Sequence, residues 1–127
     1  MPFVQIFIPE GTVAEEKKAL SAAVHESLVN VFRIPQDDFF QVVRTVPAED
    51  LFYADSYLGI QHSAKLVYVH ITAREGRSPD LKKALYKAIA GAIAANTGFS
   101  INDVIIVLSE NSGDNWSFGQ GIGQYMQ

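Results

Sequence analysis

Lys17-Lys18-Ala19-Leu20 and Lys82-Lys83-Ala84-Leu85 are the same four residues, set 65 positions apart (82 minus 17). At that spacing Val4 meets Val69, Ile6 meets Ile71, Glu10-Gly11 meets Glu75-Gly76, and Asp38 meets Asp103. A gapless match over so long a span predicts two copies of one structural unit. In the first copy Val4, Ile6 and Ile8 alternate with Phe3, Gln5 and Phe7, the period of a strand. Thr12-Val13-Ala14-Glu15 reads as a capping box. Leu20, Val24, Leu28 and Val31 then form a helical stripe that must stop before Pro35. Phe39 to Val46 is β-prone and predicts a second strand.

The second copy repeats the order. Leu66 to Ala73 alternates, with Val67, Val69, Ile71 and Ala73 on one face. Ser78-Pro79 supplies an N-cap followed by proline at the first helical position. Leu81, Leu85, Ala88, Ala92 and Ile93 make the apolar stripe, Gly98 reads as the stop, and Val104 to Leu108 as the last strand. Parallel strands joined by a helix make a β-α-β crossover. The predicted fold is α/β (α+β): a tandem β-α-β repeat forming a four-stranded, mostly mixed sheet with both helices on one face. One domain over 1–127 is expected, with units at about 2–46 and 65–109, a joining segment 47–64, and a Gly-rich, aromatic tail 110–127. The helix-facing side is uniformly aliphatic. The other side mixes Phe3, Gln5, Phe7, Tyr68, His70 and Thr72, which suits packing against other subunits.

Composition narrows the function. With 48% hydrophobic and 19% charged residues, the chain is expected to be globular. A formal net charge of −4 without a basic tract argues against nucleic acid as the partner. The absence of cysteine excludes thiol catalysis and Cys-based metal sites. No apolar run is long enough for a membrane span and no signal-peptide layout is present, so a cytoplasmic enzyme is expected. His25, His62 and His70 lack metal-ligand spacing, so no metal is expected.

Pro2 is the first chemical candidate. Removal of Met1, favoured before a small residue, exposes a secondary amine at the start of a strand. Such a group can act as a base, as a cationic acid, or as a nucleophile toward a carbonyl. Taken alone, Pro2 is better explained as a residue that merely favours Met1 removal. Arg74 and Arg77 flank the entry to the second helix, where cations oppose the macrodipole. A bound carboxylate would account for them. Their counterparts in the first unit are Pro9 and Thr12, so the two copies have diverged in role. Asp38, ahead of the second strand, suits activation of water or pairing with a protonated proline; its recurrence as Asp103 equally suits a structural turn. Trp116 and Phe118 are candidates for a pocket wall or for packing.

Together these residues resemble the tautomerase superfamily, and within it the malonate semialdehyde decarboxylase group. The resemblance rests on Pro2, on Ile34-Pro35-Gln36-Asp37-Asp38, on Arg74 and Arg77 before Ser78, on Asp103-Val104-Ile105-Ile106, and on Glu110-Asn111-Ser112 with Asn115-Trp116-Ser117-Phe118-Gly119. It implies a homotrimer, with Pro2 and Asp38 catalytic and Arg74 and Arg77 binding the carboxylate. It implies a wall of Phe39, Phe40, Trp116 and Phe118, and no cofactor. In the decarboxylase group the two arginines lie one residue closer together. An Arg-Tyr pair there follows the aspartate, where this chain has Phe39-Phe40, so its pocket is expected to be more apolar. The implied function is decarboxylation of a small 3-oxo acid of the malonate semialdehyde type, with a hydratase side activity. The alternatives are keto-enol tautomerisation with Pro2 as the base, and a non-catalytic ferredoxin-like binding module.

Overall fold

The structure, a computed structural model, describes residues 1–126. Strand β1 (Pro2–Pro9) leads into α1 (Ala14–Ser27), and a π-helical turn Leu28–Phe32 extends α1. Strand β2 (Gln41–Val46) follows, then a small hairpin of β3 (Ser56–Tyr57) and β4 (Ile60–Gln61). Strand β5 (Val67–Arg74), α2 (Pro79–Asn96) and β6 (Val104–Asn111) repeat the first order. The main sheet runs β2-β1-β5-β6. Each unit is internally parallel, and β1 and β5 meet antiparallel, which makes the sheet mixed.

The repeat survives in the register. Val4 lies opposite Gln41 in the first unit and Val69 opposite Ile106 in the second, so both partners shift by the same 65 positions between the units. Gln5 faces His70, its own counterpart, so the two units meet symmetrically at that pair.

The core confirms the alternation. Val4, Ile6, Ile8, Val67, Val69 and Ile71 are buried beneath Leu20, Val24 and Leu28 of α1 and Leu85, Ile89 and Ile93 of α2. Both helices therefore cover one face, as a period-two sheet with one aliphatic side requires. The stripe of α2 is centred on Ile89 rather than Ala88. At the end of α1 the wider π turn brings Phe32 into the core, while Val31 is only part-buried.

Several local expectations are corrected. Thr12 does not cap α1: its hydroxyl donates to the Pro9 carbonyl at 2.7 Å, and Val13 occupies the cap position without a side-chain bond. Gly98 is not the left-handed stop of α2. Thr97 ends that helix in an extended conformation, its hydroxyl donating to the Ile93 carbonyl at 2.6 Å. The Gly98 N–H instead donates to Glu16 at 2.8 Å, tying the end of α2 to the start of α1. Strand β2 begins at Gln41 rather than Phe39, and β6 runs on to Asn111. The Ser78 cap does form, accepting from the Leu81 N–H at 3.2 Å.

Candidate active site

The topology collects four chain segments at one end of the sheet. Pro2 opens β1 beside Ala73, and Arg74 closes β5 beside Asn111 at the end of β6. Strand β2 starts next to Val4, which places Asp38 just ahead of it at the same end. Gly76, at φ +121°, turns β5 toward α2, a conformation that L side chains rarely adopt. Gly11, its counterpart, does the same between β1 and α1.

A cavity of about 310 Å³ opens there, lined by Met1, Arg33, Ile34, Asp38, Arg74, Arg77 and Tyr125 among others. The Met1 ammonium lies 2.7 Å from an Asp38 carboxylate oxygen, and both groups are largely buried. The Pro2 nitrogen is three covalent bonds from that ammonium. Arg77 donates through Nη1 to the Arg74 carbonyl at 2.6 Å, and its guanidinium lies 4.7 Å from the centre of the Phe32 ring. Burial, and secondarily the nearby Arg74 charge, lower the affinity of Arg77 for its proton, while Glu110 and Asp38 oppose that. An arginine so placed remains a cation at neutral pH. Three guanidinium groups around one cavity make it a receptor for an anion.

Asp38 and Asp103 are equivalent in the repeat but differ in partner. Asp103, almost fully buried, accepts from the Ser63 N–H at 2.7 Å and the Ser63 hydroxyl at 2.5 Å. It fastens the chain that enters β5. Asp38 fastens the chain that enters β1, and does so through the amino terminus.

The aromatic residues divide. Phe40, Trp116 and Phe118 cluster: the Phe40 and Phe118 ring centroids are 5.5 Å apart, and Trp116 stacks on Phe118 at 5.5 Å. Trp116 is held by its indole N–H, which donates to the Asn111 side chain at 2.5 Å. Phe39 does not join this wall. It packs on His25 at 4.5 Å in a separate groove beside α1, because successive residues entering a strand point in opposite directions. His25 itself bonds the Gln36 carbonyl at 2.8 Å. Among the described residues, no cluster of His, Asp and Glu is arranged to hold a metal.

Arg33, Tyr125 and Gly113 also belong to the site. Arg33 follows the π turn with φ +59°, immediately ahead of the Ile34-Pro35-Gln36-Asp37-Asp38 stretch. A β-carbon on Gly113 would sit 3.4 Å from Tyr125, 3.6 Å from Arg74 and 3.8 Å from Met1. No periodicity marks any of the three in the sequence.

Family models for tautomerase enzymes match residues 38–119 and 2–61. The chain belongs to the tautomerase family. This tautomerase is 37% identical to the probable tautomerase YusQ of Bacillus subtilis (strain 168), with all of both chains covered. Among solved structures it resembles FG41 malonate semialdehyde decarboxylase inhibited by 3-bromopropiolate, at 33% identity and a TM-score of 0.91. That match covers 97% of this chain and 93% of the other. With likeness of this degree over nearly the whole chain, the tautomerase falls in the malonate semialdehyde decarboxylase-like group. A fused 4-OT symmetric trimer shares the fold at 24% identity and a TM-score of 0.80, covering 94% of each chain.

Proposed function

We propose that the tautomerase decarboxylates a small 3-oxo acid of the malonate semialdehyde type, using Pro2 as an amino-terminal amine after Met1 is removed. The observation that carries this reading is the amino terminus held 2.7 Å from Asp38 inside a cavity lined by three arginines. Arg74 and Arg77 hold the substrate carboxylate. Cationic Pro2 hydrogen-bonds to the carbonyl oxygen, or gives up its proton and attacks the carbonyl carbon as the neutral amine, forming an iminium with release of water. The bond from C2 to the carboxylate carbon then breaks, and its electron pair moves toward the polarised carbonyl or iminium. Carbon dioxide leaves and a proton adds to C2; on the iminium route water then adds to the iminium carbon and returns the carbonyl product and the free amine. Asp38 keeps the amine cationic, and can activate water for a hydratase side reaction. The chemistry requires no metal or organic cofactor.

The kinship of the chain with a probable tautomerase favours a second reading, in which neutral Pro2 moves a proton in a 2-keto or enol acid. NMR titration of the Pro2 amine separates the two, a high pKa favouring the acid and a low one the base. A homotrimer is part of the proposal, supported by the partly exposed aromatic face of the sheet and by the trimeric structural neighbour. So is a cytoplasmic setting; among the described residues no helix is long and apolar enough to cross a membrane.

The test is a panel of small 2- and 3-oxo acids, comparing wild type with Pro2→Ala on protein whose intact mass shows Met1 gone. Loss of turnover in Pro2→Ala by at least about a hundredfold is expected. Equal rates would overturn the reading.

A further inference from the structure

We infer that Arg33 is a specificity-determining residue that seats a second anionic group, so that the substrate is a 3-oxo diacid with a further carboxylate on its carbonyl carbon. The inference rests on the oxo-acid reading above. Arg33 lines the cavity from the first unit, whereas Arg74 and Arg77 line it from the second. The residue before it, Phe32, lies against the Arg77 guanidinium, 4.7 Å from the ring centre. The π turn thus brings the arginines of the two units together. Arg33 holds φ +59° and ψ +34°, the left-handed region. Glycine is the usual residue at that place past a helix, because a β-carbon is disfavoured there. An arginine accepts the backbone cost for its side chain, and such local conflicts gather at ligand sites. Arg33 is exposed, and among the described residues its guanidinium makes no ion pair.

The charges of the cavity suit a dianion. Arg33, Arg74, Arg77 and the terminal ammonium give four positive charges, Asp38 and Glu75 give two negative ones, and four minus two leaves two. The amine of Pro2 keeps that count once Met1 is gone. Glu110, the next carboxylate, is held by Lys82 at 2.6 Å. Tyr125 contributes a ring and a hydroxyl rather than a charge. It is set there by the Gln124 side chain, which accepts from the Phe118 N–H at 2.9 Å and donates to the Gly119 carbonyl at 3.2 Å. A monoanion fills the Arg74 and Arg77 pair, since two guanidinium groups occupy both oxygens of one carboxylate. Arg33 would then be left uncompensated.

The smallest such diacid is 2-oxobutanedioate. The carboxylate on its methylene carbon lies on Arg74 and Arg77, the carbonyl beside Asp38 and the amine, and the other carboxylate on Arg33. The bond from the methylene carbon to its carboxylate carbon breaks, and the electron pair moves toward the carbonyl. Carbon dioxide leaves, a proton from water adds to the same carbon, and 2-oxopropanoate departs with the second carboxylate intact.

Protein whose intact mass shows Met1 gone is titrated calorimetrically with butanoate and with butanedioate. The diacid is expected to bind at least about tenfold tighter, the worth of one charge-assisted carboxylate contact. Arg33→Gly, which suits the left-handed backbone, is expected to erase that ratio without loss of thermal stability, and Arg33→Lys to keep part of it. Lys83→Ala removes an exposed cation of α2 outside the cavity and is expected to leave the ratio intact. Equal affinity of the two acids for wild type, a diacid preference that survives in Arg33→Gly, or an equal fall in Lys83→Ala would overturn the inference. In steady-state kinetics, kcat/KM for 2-oxobutanedioate relative to 3-oxopropanoate is expected to fall at least about tenfold in Arg33→Gly. An Arg33-dependent diacid preference with no decarboxylation of either oxo acid would support the second anion seat and overturn the decarboxylase reading. Turnover of 3-oxopropanoate with equal affinity for the two test acids would do the reverse.

Discussion

Asp38 and Asp103 occupy the same place in two copies of one unit, yet their surroundings assign them different work. Asp103, itself almost fully buried, accepts from two donors of Ser63, so Asp103→Ala removes both charge-assisted bonds. A loss of about 3 kcal/mol in unfolding free energy is expected from denaturant titration, with residual activity in the folded fraction. Asp38 touches the amino terminus, and its removal deletes a negative charge beside the amine. Asp38→Asn is therefore expected to lower the pKa of the Pro2 amine in an NMR titration, because a neighbouring carboxylate favours the protonated form. The same comparison shows why the sequence could pair the two residues but not separate them. Their difference lies in what sits opposite, Ser63 in one case and the chain terminus in the other. Arg74 is the least committed of the paired arginines, since Arg77 is already spent on the Arg74 carbonyl and the Phe32 ring. Arg74→Ala is expected to raise KM by roughly ten- to a hundredfold, the worth of a charge-assisted carboxylate contact, as steady-state kinetics would read.

At the scale of elements, the strands and helices were legible because two independent copies carry the same periodicity. What the copies do not share was less legible. Helix α1 starts without a side-chain cap, whereas α2 has one in Ser78. Ser78→Ala is expected to cost about 1 kcal/mol in chemical denaturation, the usual worth of an N-cap. The cost extends to the site, because that helix start follows directly on Arg77. Phe39 and Phe40 looked alike as neighbours, and only the pleat at the entry to β2 decides which one reaches the site. Tyr125 and Arg33 were not legible at all. A Gln124 clasp brings in the first and a positive φ after a π turn positions the second, and neither leaves a periodic trace.

The whole molecule presents an aliphatic face to its helices and a mixed face outward. Val107 lies opposite His70 on the outward face and is about half exposed. If that face is the trimer contact, Val107→Asp places a charge where apolar surfaces meet. Light scattering is then expected to show a monomer with unchanged far-UV circular dichroism. The matched registers of the two units have a consequence for where the reactive end of the chain can lie. The counterpart of the Pro2 nitrogen is the nitrogen of Val67, locked in a peptide bond next to the segment that Asp103 fastens. A circular permutant opened between Leu66 and Val67 would carry its free amine at the opposite end of the sheet. There Pro9 and Thr12 stand in place of the two arginines, so the relocated amine would meet no anion clamp. The fold offers two seats for a chain terminus, and the arginines furnish one of them.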